Sequence, residues 1–326
     1  MLVQAKYNET AFPSINRGFN SVFKLGKLSI GLVVPIENYA TNSVPSMHAH
    51  VERVQLAEKL GFSAVWLRDV PFNVPSFGDA GQLLDPFVYL GLLAGQTSDI
   101  ALGVASLILP LRHPAHVAKA AASVDQLSGG RLILGIASGD RPEEYPAMNV
   151  SYHDRGKLFR ESYEYIRRLA GSNPKFDNTF GKAAGNIDML PKPQNRRLPL
   201  LITGSSQQSP SWLAEHGDGW ITYPRAQQLQ QQFIQQLRDN SQNQSSAPRP
   251  VMEPLYIDLD KNPDSLPQPI HLGYKLGINQ LCKYLKAREE IGVNHIALNL
   301  RFNKRNTEET LAEIADVVLR AFKQKD

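Results

Sequence analysis

The stretch from Ile100 to Asp140, IALGVASLILPLRHPAHVAKAAASVDQLSGGRLILGIASGD, constrains the fold more than any other part of the chain. Ile100–Leu109 is rich in Ile, Leu, Val and Ala and carries no charge, the composition of a strand buried on both faces. Pro114 can open a helix, because the first helical position needs no N–H. Val117, Ala120, Ala121, Val124 and Leu127 then recur at helical spacing, and Gly129-Gly130 supplies a left-handed stop. Leu132–Ala137 is a second uncharged strand. Two such strands joined by a helix form a parallel crossover unit. Both strands end in small or polar residues, Ala105-Ser106 and Ser138-Gly139-Asp140. Ligands of parallel α/β folds lie beyond the carboxyl ends of the strands. Small residues there leave room for something large and flat.

The same alternation runs through the rest of the chain. Residues 1–27 read as an arm ahead of a first strand, Leu28–Val34. Met47, Val51, Val54, Ala57 and Leu60 mark a helix, Ala64–Leu67 a strand, and Pro86 to Thr97 a second helix beyond the loop VPFNVPSFGDAGQLLDP. After the central unit come a helix over Leu158–Leu169, a polar excursion over 171–198 with no regular element, and a strand at Pro199–Thr203. Ser209-Pro210 opens another helix, and Trp220–Thr222 is the sixth strand. AQQLQQQFIQQL is biased in composition, but Leu229, Phe233 and Leu237 at i, i+4 and i+8 predict an amphipathic outer helix. NSQNQSSAPRP after it has a disorder-like composition. Leu255–Leu259 is a strand, KNPDSLPQP a proline-rich excursion, Gln280–Ile291 a helix and His295–Leu300 the last strand. An Asn306/Glu309 capping box opens a final helix bearing Leu311, Ile314, Val318 and Phe322. Eight strands alternating with eight helices predict an α/β fold of the (β/α)8, TIM-barrel kind, one domain over 28–326. A doubly wound open sheet is the alternative. Its Gly-x-Gly-x-x-Gly fingerprint is missing after the first strand, where Pro35-Ile36-Glu37 stands.

Composition narrows the function classes. Lys and Arg number 35 against 31 Asp and Glu, and the basic residues are dispersed, so no nucleic-acid partner is expected. The single cysteine, Cys282, allows no intrachain disulfide and fits a reducing compartment. MLVQAKYNETAFPSINRGF has charges where a signal peptide needs an apolar core, and no apolar run reaches the length of a membrane span. A cytoplasmic location with no membrane partner is the expectation.

The strand ends supply the candidate chemistry. In Thr203-Gly204-Ser205-Ser206-Gln207-Gln208-Ser209-Pro210 a strand ends, a glycine allows close approach and serines precede a helix start. Such a turn can receive a phosphate, at about 0.3–2 kcal/mol from the helix dipole, or can be an ordinary cap in which Ser209 bonds its own backbone. Asp69 ends the second strand and can act as acid or base, or pair with a nearby cation such as Arg68. Arg112, Arg225 and Arg301 stand near the expected mouth, each able to meet an anionic substrate; His113 reads as a helix-start residue. No lysine lies within a strand to form a Schiff base, no paired His/carboxylate set ends the strands to hold a metal, and there is no Gly-x-Ser-x-Gly elbow.

GFSAVWLRDVPF (61–72), LGVASLILPLRHP (102–114), SVDQLSGGRLILGIASGDRPEEYPAMNV (123–150) and LLITGSSQQSPSWLAEHGDGWIT (200–222) together resemble the bacterial luciferase-like, flavin-dependent monooxygenase superfamily. A weaker likeness continues through GVNHIALNLRF (292–302). The resemblance implies a barrel whose Gly204, Ser205, Ser206 and Ser209 hold the phosphate of FMN. It implies a non-proline cis peptide at Ala105-Ser106 beneath the flavin, with Ser138, Gly139 and Asp140 lining the ribityl chain and ring and Tyr223 at an aromatic edge. Two positions depart from the family pattern: Ser138 replaces a guanidinium near the flavin, and Val70 replaces the catalytic histidine after Asp69. The second departure sets this chain apart from luciferase-type proton handling and light emission. The function implied is oxygenation of a small organic substrate with O2 and reduced FMN, the latter supplied by a separate NAD(P)H:flavin reductase, in a homodimer. Hydride transfer by a deazaflavin coenzyme is the second reading, and a non-catalytic flavin-binding barrel the third.

Overall fold

The computed structural model describes residues 11–243 and 247–323. The first ten residues of the arm, and 244–246 within NSQNQSSAPRP, lie outside the described residues. Eight parallel strands form the centre: β1 (Ser29–Val33), β2 (Ala64–Leu67), β3 (Ala101–Ile108), β4 (Leu132–Ala137), β5 (Leu200–Thr203), β6 (Gly219–Ile221), β7 (Val251–Leu259) and β8 (His295–Asn299). Each pairs with the next, and β8 returns to β1 with Ser29 opposite His295, so the sheet closes. Around it lie α1 (His50–Leu60), α2 (Pro86–Gln96), α3 (Pro114–Leu127), α4 (Arg155–Leu169), α5 (Pro210–His216), α6 (Gln227–Asn243) and α7 (Ile278–Glu290). The last helix, α8, starts as Thr307–Glu313 and runs through a π-helical segment, Ile314–Leu319, to Arg320–Phe322. The predicted (β/α)8 barrel is the observed fold. No helix among the described residues is long and apolar enough to cross a membrane.

The uncharged strands are explained by two separate cores. Alternate residues point outward against the helices, among them Ile30, Leu32, Val65, Leu67, Leu102, Val104, Ile296 and Leu298. The residues between them point inward and meet along the barrel axis: Val33, Ala64, Trp66, Ala101, Ile133, Leu201, Ile221, Met252 and Ala297. Trp66 is the large filler of this inner core. A Cβ on Gly103 would sit 2.2 Å from its ring, so only glycine fits there. The Trp66 indole donates to His295 Nε2 at 2.8 Å, and His295 Nδ1 lies 2.6 Å from Ser29 Oγ. The described part of the arm closes the amino end of the barrel with a short helix, Arg17–Val22, whose Phe19 and Val22, with Ile15 and Phe23, join the inner core.

Three details differ from the sequence reading. The excursion 171–198 contains an antiparallel hairpin, Lys175–Asn178 with Gly181–Ala184. Its residues are mostly exposed, so the uncharged run buried on both faces that marks a barrel strand is missing. On α6 the buried face is Gln230, Ile234, Leu237 and Ser241, while Leu229 and Phe233 stay exposed. Apolar spacing put the stripe one residue out of phase, because Gln230 and Ser241 occupy positions that composition assigns to water. Strand β7 begins at Val251, and its carboxyl half, Tyr256–Leu259, also pairs with Gly273–Leu276, which in turn pairs with Gln268–Ile270.

Candidate functional site

A cavity of about 350 Å³ opens at the carboxyl ends of the strands, lined by residues from the ends of all eight. The central crossover unit makes its floor. The Ala105-Ser106 peptide is cis, and the Ser106 hydroxyl is hydrogen-bonded to the Thr203 hydroxyl on β5. Ala137, Ser138, Gly139 and Asp140 continue the floor across β4. Gly139 is left-handed at φ 81°, and the Tyr145 hydroxyl behind it donates to the Ser138 carbonyl. A Cβ on Gly139 would stand 2.6 Å from that hydroxyl and 2.8 Å from Ile108 Cγ2. The floor therefore consists of small side chains over a tightly packed support.

The turn after β5 forms one end of the cavity. Gly204, Ser206 and Gln207 line it, all with left-handed backbone at φ 57°, 44° and 62°. A Cβ on Gly204 would meet nothing within 4 Å, so the backbone there is approachable from the cavity side. Ser206 Oγ donates to the Thr203 carbonyl at 2.8 Å. Buried Gln208 holds the turn from behind: its Nε2 donates to the Gly156 carbonyl at 2.8 Å, and its Oε1 accepts from Arg160 Nε at 2.9 Å. Ser205 and Ser209 are exposed and stand outside the cavity wall. Ser209 accepts from Trp212 N as the cap of α5, and Ser205 accepts from Gln207 N. The sequence-predicted loop is thus split, with Gly204 and Ser206 on the cavity and the other two serines shaping its back.

Asp69 reaches the cavity wall, but both its oxygens are engaged. Arg112 Nη2 donates to one at 2.7 Å; Arg112 Nε at 3.0 Å and Ile108 N at 3.1 Å donate to the other. Arg112 itself lies behind the wall and also bonds Asp85 at 2.9 Å. Burial works against its charge, but the Asp69 and Asp85 carboxylates outweigh that and hold its pKa above the ordinary value. Val70 lines the cavity at the position where the family pattern has histidine, and half-exposed Tyr223 lines it beyond β6. His113 caps α3, accepting from Ala115 N. Arg225 lines the cavity, whereas Arg301 is drawn into an ion pair with Asp79.

Sequence reasoning did not single out Arg68 as a site residue, and it missed Phe77, Arg141, Glu144, Tyr256 and Asn299, all on the wall. Strand parity could have found three of them. Trp66, Met252 and Ala297 face the barrel axis, so Arg68, Tyr256 and Asn299 do so at the rim. Phe77, Arg141 and Glu144 lie on loops and carry no such signal.

A closed parallel barrel with a small-residue cavity at its carboxyl end is that of a TIM-barrel protein with its ligand site at the strand ends. The family model described as "Luciferase-like monooxygenase" matches residues 28–258, and the chain belongs to that family. It is 32% identical over 188 residues to an uncharacterized protein of Mycobacterium tuberculosis, Rv0953c, covering 52% of this chain and 66% of that protein. It is 30% identical over 200 residues to the F420-dependent hydroxymycolic acid dehydrogenase of the same organism, covering 60% of this chain and 53% of the relative. The chain thus spans about half to two thirds of the curated relatives it matches. Among solved structures, monooxygenase RslO1 from Streptomyces bottropensis superposes with a TM-score of 0.76 at 19% identity, over 90% of this chain and 100% of that one. An F420-dependent secondary alcohol dehydrogenase does so with a TM-score of 0.75 at 17% identity, over 91% and 100%.

Proposed function

We propose that the protein is a flavin-dependent oxidoreductase, a two-component monooxygenase that uses reduced FMN and O2 on a small organic substrate. The observation that carries the reading is the cavity floor. The small residues Ala105, Ser106, Ala137, Ser138 and Gly139 form a surface against which a flat ring system can lie, and the left-handed Gly204-Ser206-Gln207 turn stands at its end. Backbone amides in such a turn favour an anion, as the phosphate of FMN requires. Bound reduced flavin would supply the electrons for oxygen activation. The chain's own residues would orient the ring, exclude water and anchor the phosphate. Asp69, Ser138, Asp140 and Tyr223 would border the bound flavin, and we assign the Asp69–Arg112 pair to holding β2 against β3 rather than to proton transfer. Reduced FMN would come from an NAD(P)H:flavin reductase, and the working form would be a homodimer in the cytoplasm.

The likeness to an F420-dependent dehydrogenase supports a second reading, in which the same cavity takes a deazaflavin coenzyme and a hydride passes without O2. Calorimetric titration with FMN, photoreduced FMN, riboflavin and the deazaflavin coenzyme separates the two. Tighter binding of reduced than oxidised FMN, with riboflavin weaker than FMN, is the result expected. In a Ser206→Ala/Ser209→Ala variant the affinity for FMN should fall about fivefold or more, as loss of the Ser206 bond loosens the turn. Binding of the deazaflavin coenzyme but of neither FMN form would overturn the FMN reading in favour of hydride transfer.

A further inference from the structure

The cavity wall carries a charge arrangement that a flavin alone leaves unexplained. Three largely buried guanidiniums, Arg68, Arg141 and Arg301, hold the loop that follows β2. Asp79 on that loop serves two of them: Oδ1 accepts from Arg68 Nη2 at 2.8 Å, and Oδ2 lies 2.9 Å from Arg301 Nη1. Arg141 has no carboxylate within hydrogen-bond distance. Its Cζ lies over the Phe77 ring, 3.8 Å from the centroid, and Nη2 donates to the Asp79 carbonyl at 3.2 Å. Its Nη1 stands 4.0 Å from Glu144 Oε1, beyond hydrogen-bond range. Arg141 Nη1, Glu144 Oε1 and Arg68 Nε are all buried and without a hydrogen-bond partner.

The surrounding charges do not compensate. Burial lowers the Arg141 pKa and raises that of Glu144, outweighing the attraction of each for the other and the Phe72 backbone hydrogen bond to Glu144. Of the other carboxylates on the wall, Asp69 is taken by Arg112 and Asp140 is exposed. Around this loop three guanidiniums thus face Asp79 and Glu144, and of these five groups Arg68, Arg141 and Glu144 line the cavity. Buried charges are ordinarily paired and hydrogen-bonded.

We propose that this part of the cavity is an anion subsite, in which Arg141, assisted by Arg68, receives a carboxylate of the organic substrate. The inference rests on the oxidoreductase reading and names its substrate class, a small carboxylate. The Arg141 guanidinium packs on Phe77, and its planar fork suits a planar anion. The same chemistry is carried by a coenzyme phosphate, so the test must separate the two sources.

Phenylacetate and its neutral analogue phenylacetamide are titrated at fixed ionic strength into wild type, Arg141→Gln and Glu144→Gln, with and without FMN. Wild type should bind the carboxylate about tenfold or more tightly than the amide. Arg141→Gln should lose that preference while keeping its affinity for FMN. Glu144→Gln removes the competing carboxylate at constant volume and should strengthen phenylacetate binding severalfold. Equal binding of acid and amide by wild type overturns the proposal. So does a fall in FMN affinity in Arg141→Gln that matches the fall for phenylacetate, which assigns the guanidinium to the coenzyme. Should Arg141→Gln fail to fold, Glu144→Gln decides, and an unchanged preference there refutes the subsite. A carboxylate preference that persists while no flavin or deazaflavin binds supports the anion subsite and overturns the coenzyme reading alone.

Discussion

His295 makes the inner core a sensor of acid. Its ring is fully buried, and burial pulls its pKa from 6.5 down to about 3. The hydrogen bonds agree with that direction. An indole N–H only donates, so the Trp66 bond at 2.8 Å requires an unprotonated Nε2. The proton then sits on Nδ1 and is given to Ser29 Oγ, which passes its own hydrogen to the Val22 carbonyl at 2.7 Å. Protonating Nε2 would turn two N–H groups toward each other in an apolar interior. Because the folded pKa lies below the unfolded one, the unfolded chain binds the extra proton first. Stability is therefore full above about pH 6.5 and falls as the pH drops toward 3. At 1.36 kcal/mol per pH unit this one residue removes about 2 kcal/mol between pH 7 and pH 5. The assay is urea unfolding of wild type and His295→Gln at half-unit steps across that range. Carboxylates held low by their partners, such as Asp79 and Asp218, also lose their contributions on acidification, but equally in both chains. The variant should be the less stable at pH 7, and the gap should narrow by about 2 kcal/mol at pH 5. Parallel curves, or an imidazolium signal from His295 in the folded protein at pH 5.5, would refute the reasoning.

Two further outcomes follow from the site's supports. Asp69→Asn should cost about 1–3 kcal/mol in urea unfolding, less than a fully buried pair because Arg112 is a quarter exposed and keeps Asp85. Loss of turnover with unchanged stability would instead mark Asp69 as an acid or base. Gly139→Ala forces a Cβ to 2.6 Å from the Tyr145 hydroxyl at φ 81° and should lower stability by about 1–3 kcal/mol and weaken FMN binding; unchanged melting and affinity would show that the floor can yield.

The barrel was legible because its strands are buried on both faces. Ala64–Leu67 and Leu132–Ala137 stand out as uncharged runs, and the observed strands have those same bounds. The helix starts were equally legible, since Ser209 and Asn306 accept from N–H groups three residues on and Pro114 stands at a first helical position that needs no N–H. The α6 stripe was misjudged because Gln230, fully buried, is polar. Its Oε1 accepts from Arg225 Nη1 at 3.0 Å, a side-chain bond that takes the place of water and that hydropathy does not register.

Local pattern in the chain determined the strand and helix count, the small-residue floor at Ala105-Ser106 and Ser138-Gly139, and the turn at Gly204, because each depends on neighbours in sequence. Tertiary structure alone decided which groups meet. It gave Asp69 to Arg112, 43 residues away, and closed β8 onto β1. It brought Arg68 and Arg141 to one cavity wall with Asp79 bonded to the first and Glu144 out of reach of the second. Charge compensation is a property of three-dimensional neighbours, and a linear sequence does not state which cation lacks a hydrogen-bonded carboxylate.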